Sequence, residues 1–153
     1  MIKPSKKNYN TVIMVRLPND IAEYCNKFII NTKLYTCIPE LILDSIHFTL
    51  RYFKMYEIEI DNNGNEKVVV GSVSGINSFC KFMINDEINK KLYGKKNDLM
   101  VSVAIRVPIG QIDYLPRSMA YSVLARYSLI FYLSEIVPDF HYSFFNTEEA
   151  DSQ

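Results

Sequence analysis

The stretch Thr11-Val12-Ile13-Met14-Val15-Arg16-Leu17-Pro18-Asn19-Asp20 decides the fold. Ile13, Val15 and Leu17 fall on one face, and Val12, Met14 and Arg16 fall on the other. Period two with β-branched residues predicts a strand over Thr11–Leu17. Pro18-Asn19-Asp20 stops the strand and opens a helix, because proline pre-sets its backbone angle and Asn or Asp can cap free amides. Ile21, Tyr24, Cys25, Phe28 and Ile29 then recur at three- and four-residue steps, opposite Asp20, Glu23, Asn26 and Lys27. That spacing makes an amphipathic helix of about three turns. A lone strand cannot satisfy its own backbone, so Thr11–Leu17 must pair with another strand.

Downstream, Asn31–Tyr35 is a short connection, and a second helix begins near Thr36–Ile38 with Pro39 and Glu40 in its first turn. Its apolar face is Ile38, Leu41, Ile42, Ser45, Ile46, Thr49, Leu50 and Phe53. Tyr56–Ile60 and Glu66–Val70 flank Asp61-Asn62-Asn63-Gly64-Asn65, and Asn-Gly marks a hairpin turn with positive backbone angles. Ser74 is expected to cap one further helix carrying Ile76, Phe79, Cys80, Met83, Glu87, Ile88 and Leu92, ended by Gly94. Leu99–Val107 predicts a second strand with Val101, Val103, Ile105 and Val107 inward, while Ile109–Leu115 stays unassigned. Ser118–Val137 predicts a long helix, apolar nearly all round and closed by Pro138, with Ser118, Ser122 and Arg126 as its polar stripe. Such a helix belongs in a core or a subunit interface.

Toward the amino terminus, residues 1–10 carry Lys3, Lys6 and Lys7 and are expected to form a basic flexible arm. Residues 146–153 form an acidic tail. The chain of 153 residues is neutral overall, with 17 basic and 17 acidic residues, but the charge is unevenly placed. It runs from +4 over residues 1–54 through −1 over 55–98 to −3 over 99–153. A basic end that meets phosphate and an acidic end that does not is one reading of this gradient; ordinary surface variation is the other. Three cysteines (Cys25, Cys37, Cys80) lack zinc-like spacing and suit a reduced, cytoplasmic protein. Neither a secretory signal nor a membrane span is read; the longest apolar run, Tyr127–Leu133, is far short of the roughly 20 residues a span needs.

Thr11–Phe53 resembles the ribbon-helix-helix family of the Arc and MetJ type. Val12 to Asp20 looks like the ribbon strand entering its first helix, and Tyr35 to Ile46 like the turn and second helix. The resemblance implies a dimer with two antiparallel strands, whose exposed ribbon face enters the DNA major groove and whose second-helix N-termini hold phosphates. By position, the base-facing side chains would be Val12, Met14 and Arg16, of which only Arg16 is polar. Ile38 and Pro39 stand where a small hydroxyl and a basic residue are usual, so phosphate contact would fall to the amides near Thr36 and Cys37. Val103-Ala104-Ile105-Arg106-Val107-Pro108 parallels Ile13-Met14-Val15-Arg16-Leu17-Pro18. Residues 99–137 are therefore either a degenerate second copy, its first helix stunted by Pro116, or a chance likeness.

The expected fold class is α+β: a ribbon-helix-helix unit over 11–54, then an extension over 55–145 of hairpin, helix, second strand and long buried helix. The chemistry of a catalyst is not evident. His47 and His141 have no metal-ligand spacing. Gly71-Ser72-Val73-Ser74-Gly75 lacks the central serine of a nucleophile elbow. Glu57, Glu59 and Asp61 share a strand face that reads as solvated, and Cys37 reads as a packing or surface thiol. Lys90, Lys91, Lys95 and Lys96 suit a helix C-terminus. No catalytic residue, cofactor or metal is expected. The expected function is a DNA-binding transcription regulator (a repressor) or an antitoxin, acting as a homodimer or as an intrachain pseudo-dimer. DNA contacts would come from Lys3, Lys6, Lys7, Val12, Met14, Arg16, Thr36 and Cys37. The alternative is a protein–protein interaction module that keeps the fold for dimerisation only, with residues 55–153 available to a protein partner.

Overall fold

A computed structural model describes residues 11–70, 73–93, 99–108 and 119–145. Outside the described residues lie the arm with Lys3, Lys6 and Lys7, Gly71 and Ser72, Gly94 to Lys96, Ile109–Leu115, Pro116, Ser118 and the acidic tail. The same holds for the side chains of Glu57 and Glu59. The architecture is mixed α+β. In chain order it runs β1 (Thr11–Pro18), α1 (Asn19–Thr32), α2 (Ile38–Tyr52), β2 (Tyr56–Ile60) and β3 (Glu66–Val70). Then follow α3 (Val73–Met83), α4 (Asp86–Tyr93), β4 (Met100–Val107), α5 (Tyr121–Ile136) and α6 (Pro138–Phe144).

The partner that β1 needs comes from its own chain. β1 pairs antiparallel with β4 in a two-stranded sheet, from Thr11 opposite Val107 to Pro18 opposite Met100. Residues directly opposite share a face. Ile13 with Ile105, Val15 with Val103, and Leu17 with Val101 therefore form the inner face. Ile13, Val15, Leu17 and Ile105 are buried there. A two-stranded ribbon is marginal alone and needs a layer beneath it. Here α2 and α5 pack on each other under the ribbon, and they cross over: α2 lies against β4, and α5 against β1. Leu41, Ile42, Ile46 and Leu50 of α2 and Leu124, Leu129, Ile130 and Leu133 of α5 join the strands in one core. That core contains residues from both sides of position 54.

Two constant offsets relate the halves. An offset of 90 carries Ile13, Met14, Arg16 and Pro18 to Val103, Ala104, Arg106 and Pro108. The antiparallel register passes through the same offset at one pair, Met14 with Ala104, its own counterpart. An offset of 83 carries Leu41, Ile42, Ser45, Ile46 and Leu50 of α2 to Leu124, Ala125, Ser128, Leu129 and Leu133 of α5, all buried. It also carries the α2 N-cap, Cys37, to the α5 N-cap, Ala120. The helix and its cap position follow one offset and the strand the other, with seven fewer residues between strand and helix in the second case.

Several local expectations need correcting. The N-cap position of α1 is Pro18, without a side-chain bond, because the strand turns straight into the helix; Asp20 Oδ1, inside the first turn, accepts from the Ile21 amide at 2.8 Å. The Asn19 amide instead donates to the Leu99 carbonyl at 2.9 Å, tying the helix start to β4's approach. Ser74 lies inside α3, which begins one residue earlier at Val73. The single helix expected from residue 74 to 92 is two helices, since Asn85 caps α4 by accepting from the Ile88 amide at 3.1 Å. In the hairpin only Gly64 has positive φ, at 83°; the Asp61 side chain holds the turn by accepting from Asn63 and Asn65 amides. Pro138 closes α5 but also opens α6, where its missing N–H costs nothing. Phe140 of α6 is buried and sits 5.0 Å from the Tyr24 ring of α1.

Candidate nucleic-acid interface

The outer face of the β1–β4 ribbon follows from alternation. Its rows are Arg16 with Ser102, Met14 with Ala104, and Val12 with Arg106. All six residues are exposed, and Val12 and Met14 each keep 52% of their surface. The face holds two arginines at diagonal corners and no carboxylate. Arg16 is thus free of the core, as its position opposite Ile13, Val15 and Leu17 requires. Arg106, Ser102 and Ala104 share the face but were not picked out from sequence as site residues. The signal was present in the repeated Arg-x-Pro ending of the two strands, at Arg16 and Arg106, and only the register showed that both ends meet.

The α2 N-terminus is less suited to phosphate than expected. Thr36 and Cys37 are exposed there, but the Thr36 amide donates to Glu40 Oε2 at 3.1 Å, and its hydroxyl donates to the same atom. These two bonds, the hydroxyl first, hold the Glu40 carboxyl below its ordinary value. A carboxylate therefore already occupies the place expected to receive phosphate. The α5 N-terminus, related by the offset of 83, has no side-chain cap and carries Val123 where α2 carries Glu40.

Beside the α1–α2 connection, an open depression of about 440 Å³ is lined by Leu34, Tyr35, Glu40, Leu43, Asp44 and His47. Tyr35 Oη donates to Asp44 and meets Tyr132 Oη at 2.8 Å, so α1's exit is tied to α2 and α5. Burial, then the Asp44 bond, pushes the Tyr35 phenol well above its ordinary range. Two carboxylates make this depression a poor phosphate site. The lysine cluster is partly structural: Lys91 pairs with Asp20 and lies 5.7 Å from the Phe144 ring centre. Lys95 and Lys96 lie outside the described residues. His141 Nδ1 lies 3.4 Å from Ser134 Oγ. Among the described residues, no group of three or more His, Cys, Asp or Glu is placed to hold a metal. No helix among them is long and apolar enough to cross a membrane.

No protein-family model, no curated protein and no solved structure matches the chain.

Proposed function

We propose that the chain is a single-chain ribbon-helix-helix unit that binds duplex DNA through the outer face of its β1–β4 ribbon, as a transcription regulator or antitoxin. One observation carries the reading: a two-stranded ribbon, closed within one chain, buries one face on α2 and α5 and presents Arg16 and Arg106 on the other. The B-DNA major groove is wide enough to admit such a ribbon, and arginine bonds guanine O6 and N7 in two places at once. The crossed packing of α2 and α5, with one offset relating the strands and another the helices, is what a dimer of such units would have if joined end to end. Zero net charge does not oppose the reading, since phosphate meets a local face.

Fluorescence anisotropy with the full chain on random duplexes, across a salt series, tests it. Binding should be present at low salt and fall as salt rises, because each neutralised phosphate adds about 0.9 to the log–log slope. The double variant Arg16→Ala/Arg106→Ala should stay folded and bind at least about tenfold more weakly, the loss expected for a bidentate arginine. A folded chain that binds no duplex at low salt rejects the proposal.

A second reading is favoured by one observation: Val12 and Met14 each leave 52% of their surface exposed on the same face. An apolar patch of this kind suits a protein partner. In that reading Met14→Ser weakens a protein complex and leaves DNA out of account.

A further inference from the structure

We infer that the ribbon recognises an asymmetric duplex site, with one guanine on each DNA strand around an A·T centre, and that one chain fills it. The inference rests on the DNA reading above and deepens it. Arg16 and Arg106 are equivalent under the offset of 90 and stand at opposite ends of the face. Four residues along a strand at about 3.4 Å each, with one step of about 4.8 Å across, separate their backbones by roughly 14 Å. At about 3.4 Å per base-pair step, that spans about four steps. Their pseudo-twofold relation points them at opposite strands of a duplex whose own twofold lies along the same axis.

The rest of the face breaks the symmetry. Val12 corresponds to Ser102, and Met14 to Ala104. The Ser102 hydroxyl both donates and accepts, whereas Val12 does neither. One end therefore offers Arg16 beside a hydroxyl, and the other offers Arg106 beside a methyl-bearing wall. Two identical strands could not present unequal ends. At the centre, Met14 and Ala104 offer base edges no donor and only a weak thioether acceptor, and thymine's methyl is the apolar feature of the groove. Because β4 already completes the ribbon, a second chain is not needed to build the face.

Selection of bound duplexes from a randomised library by the full chain, followed by anisotropy and stoichiometric titration, tests this. The expected site has one guanine per strand about four steps apart, unequal flanks and one chain per site. Arg16→Ala should erase the guanine preference at one end only, and Arg106→Ala at the other only, each lowering discrimination about 5- to 150-fold. Val12→Ser should make the two ends more alike. A palindromic site, two chains per minimal site, or both arginine variants acting on the same end overturns the inference. Binding without sequence preference also overturns it while leaving the DNA reading in place; absence of all binding overturns both. Thermal melts of both variants serve as the folding control, since each arginine is exposed.

Discussion

Adjacent residues on β1 should respond to substitution in opposite ways. Val15 has no exposed surface and faces Val103 on the inner side of the ribbon, while Arg16 points outward. Burial of a valine side chain contributes about 1.5–3 kcal/mol. In Val15→Asp that is lost, and an unpaired carboxyl must either be buried charged or forced neutral, at a further cost of several kcal/mol. The total, about 5 kcal/mol or more, reaches the range of a whole domain's stability. At about 2–4 °C per kcal/mol for a chain this size, the melting temperature should fall by at least about 10 °C. Arg16→Ala removes a side chain that packs on nothing in the core, so it should cost within about 0.5 kcal/mol, or less than about 2 °C. Thermal and urea unfolding followed by far-ultraviolet circular dichroism measures both. Because a one-residue slip turns every strand side chain to the other face, a stable Val15→Asp beside an unfolded Arg16→Ala would refute the register of Met14 with Ala104 and the proposed DNA-binding face with it.

Gly75→Ala should destabilise although alanine favours helix by up to about 1 kcal/mol. Its Cβ would stand 1.9 Å from the Phe53 carbonyl oxygen and 3.1 Å from that of Lys54, backbone atoms that cannot step aside cheaply; a raised melting temperature would show that α3 does not dock on the end of α2. Cys25, whose thiol burial pushes up to about 12, should resist iodoacetamide in the native chain while exposed Cys37 reacts. Mass spectrometry of labelled peptides reads this, and equal rates would contradict the packing of α1. Glu40 is held below its ordinary value of 4.5, so its bonds to Thr36 act above that pH and are lost as pH falls through the lower folded value. The Thr36 amide shift by NMR should titrate with a midpoint below 4.5 and stop titrating in Glu40→Gln; a midpoint at or above 4.5 would refute the contact.

Local pattern made much of this molecule legible. Alternation from Thr11 to Leu17 assigned inner and outer faces before any partner was known, because side-chain period two admits only two faces. Three- and four-residue spacing located α1 and the buried face of α2, and the oily run of α5 placed it in a core. Patterns failed where one residue's geometry overrides periodicity: α3 stops at Met83 and Asn85 caps the next helix inside a continuous apolar stripe, and Pro138 starts a helix as readily as it stops one. The pairing of β1 could not be settled from the strand itself. A strand's hydrogen-bonding edge is identical whether its partner is another chain or a segment nearly ninety residues away. Only tertiary structure chose β4, crossed α2 and α5 beneath both strands, and set Arg106 on the face of Arg16. Sequence determined which side chains each element shows; long-range backbone pairing, which leaves no local trace, determined which of them share a surface.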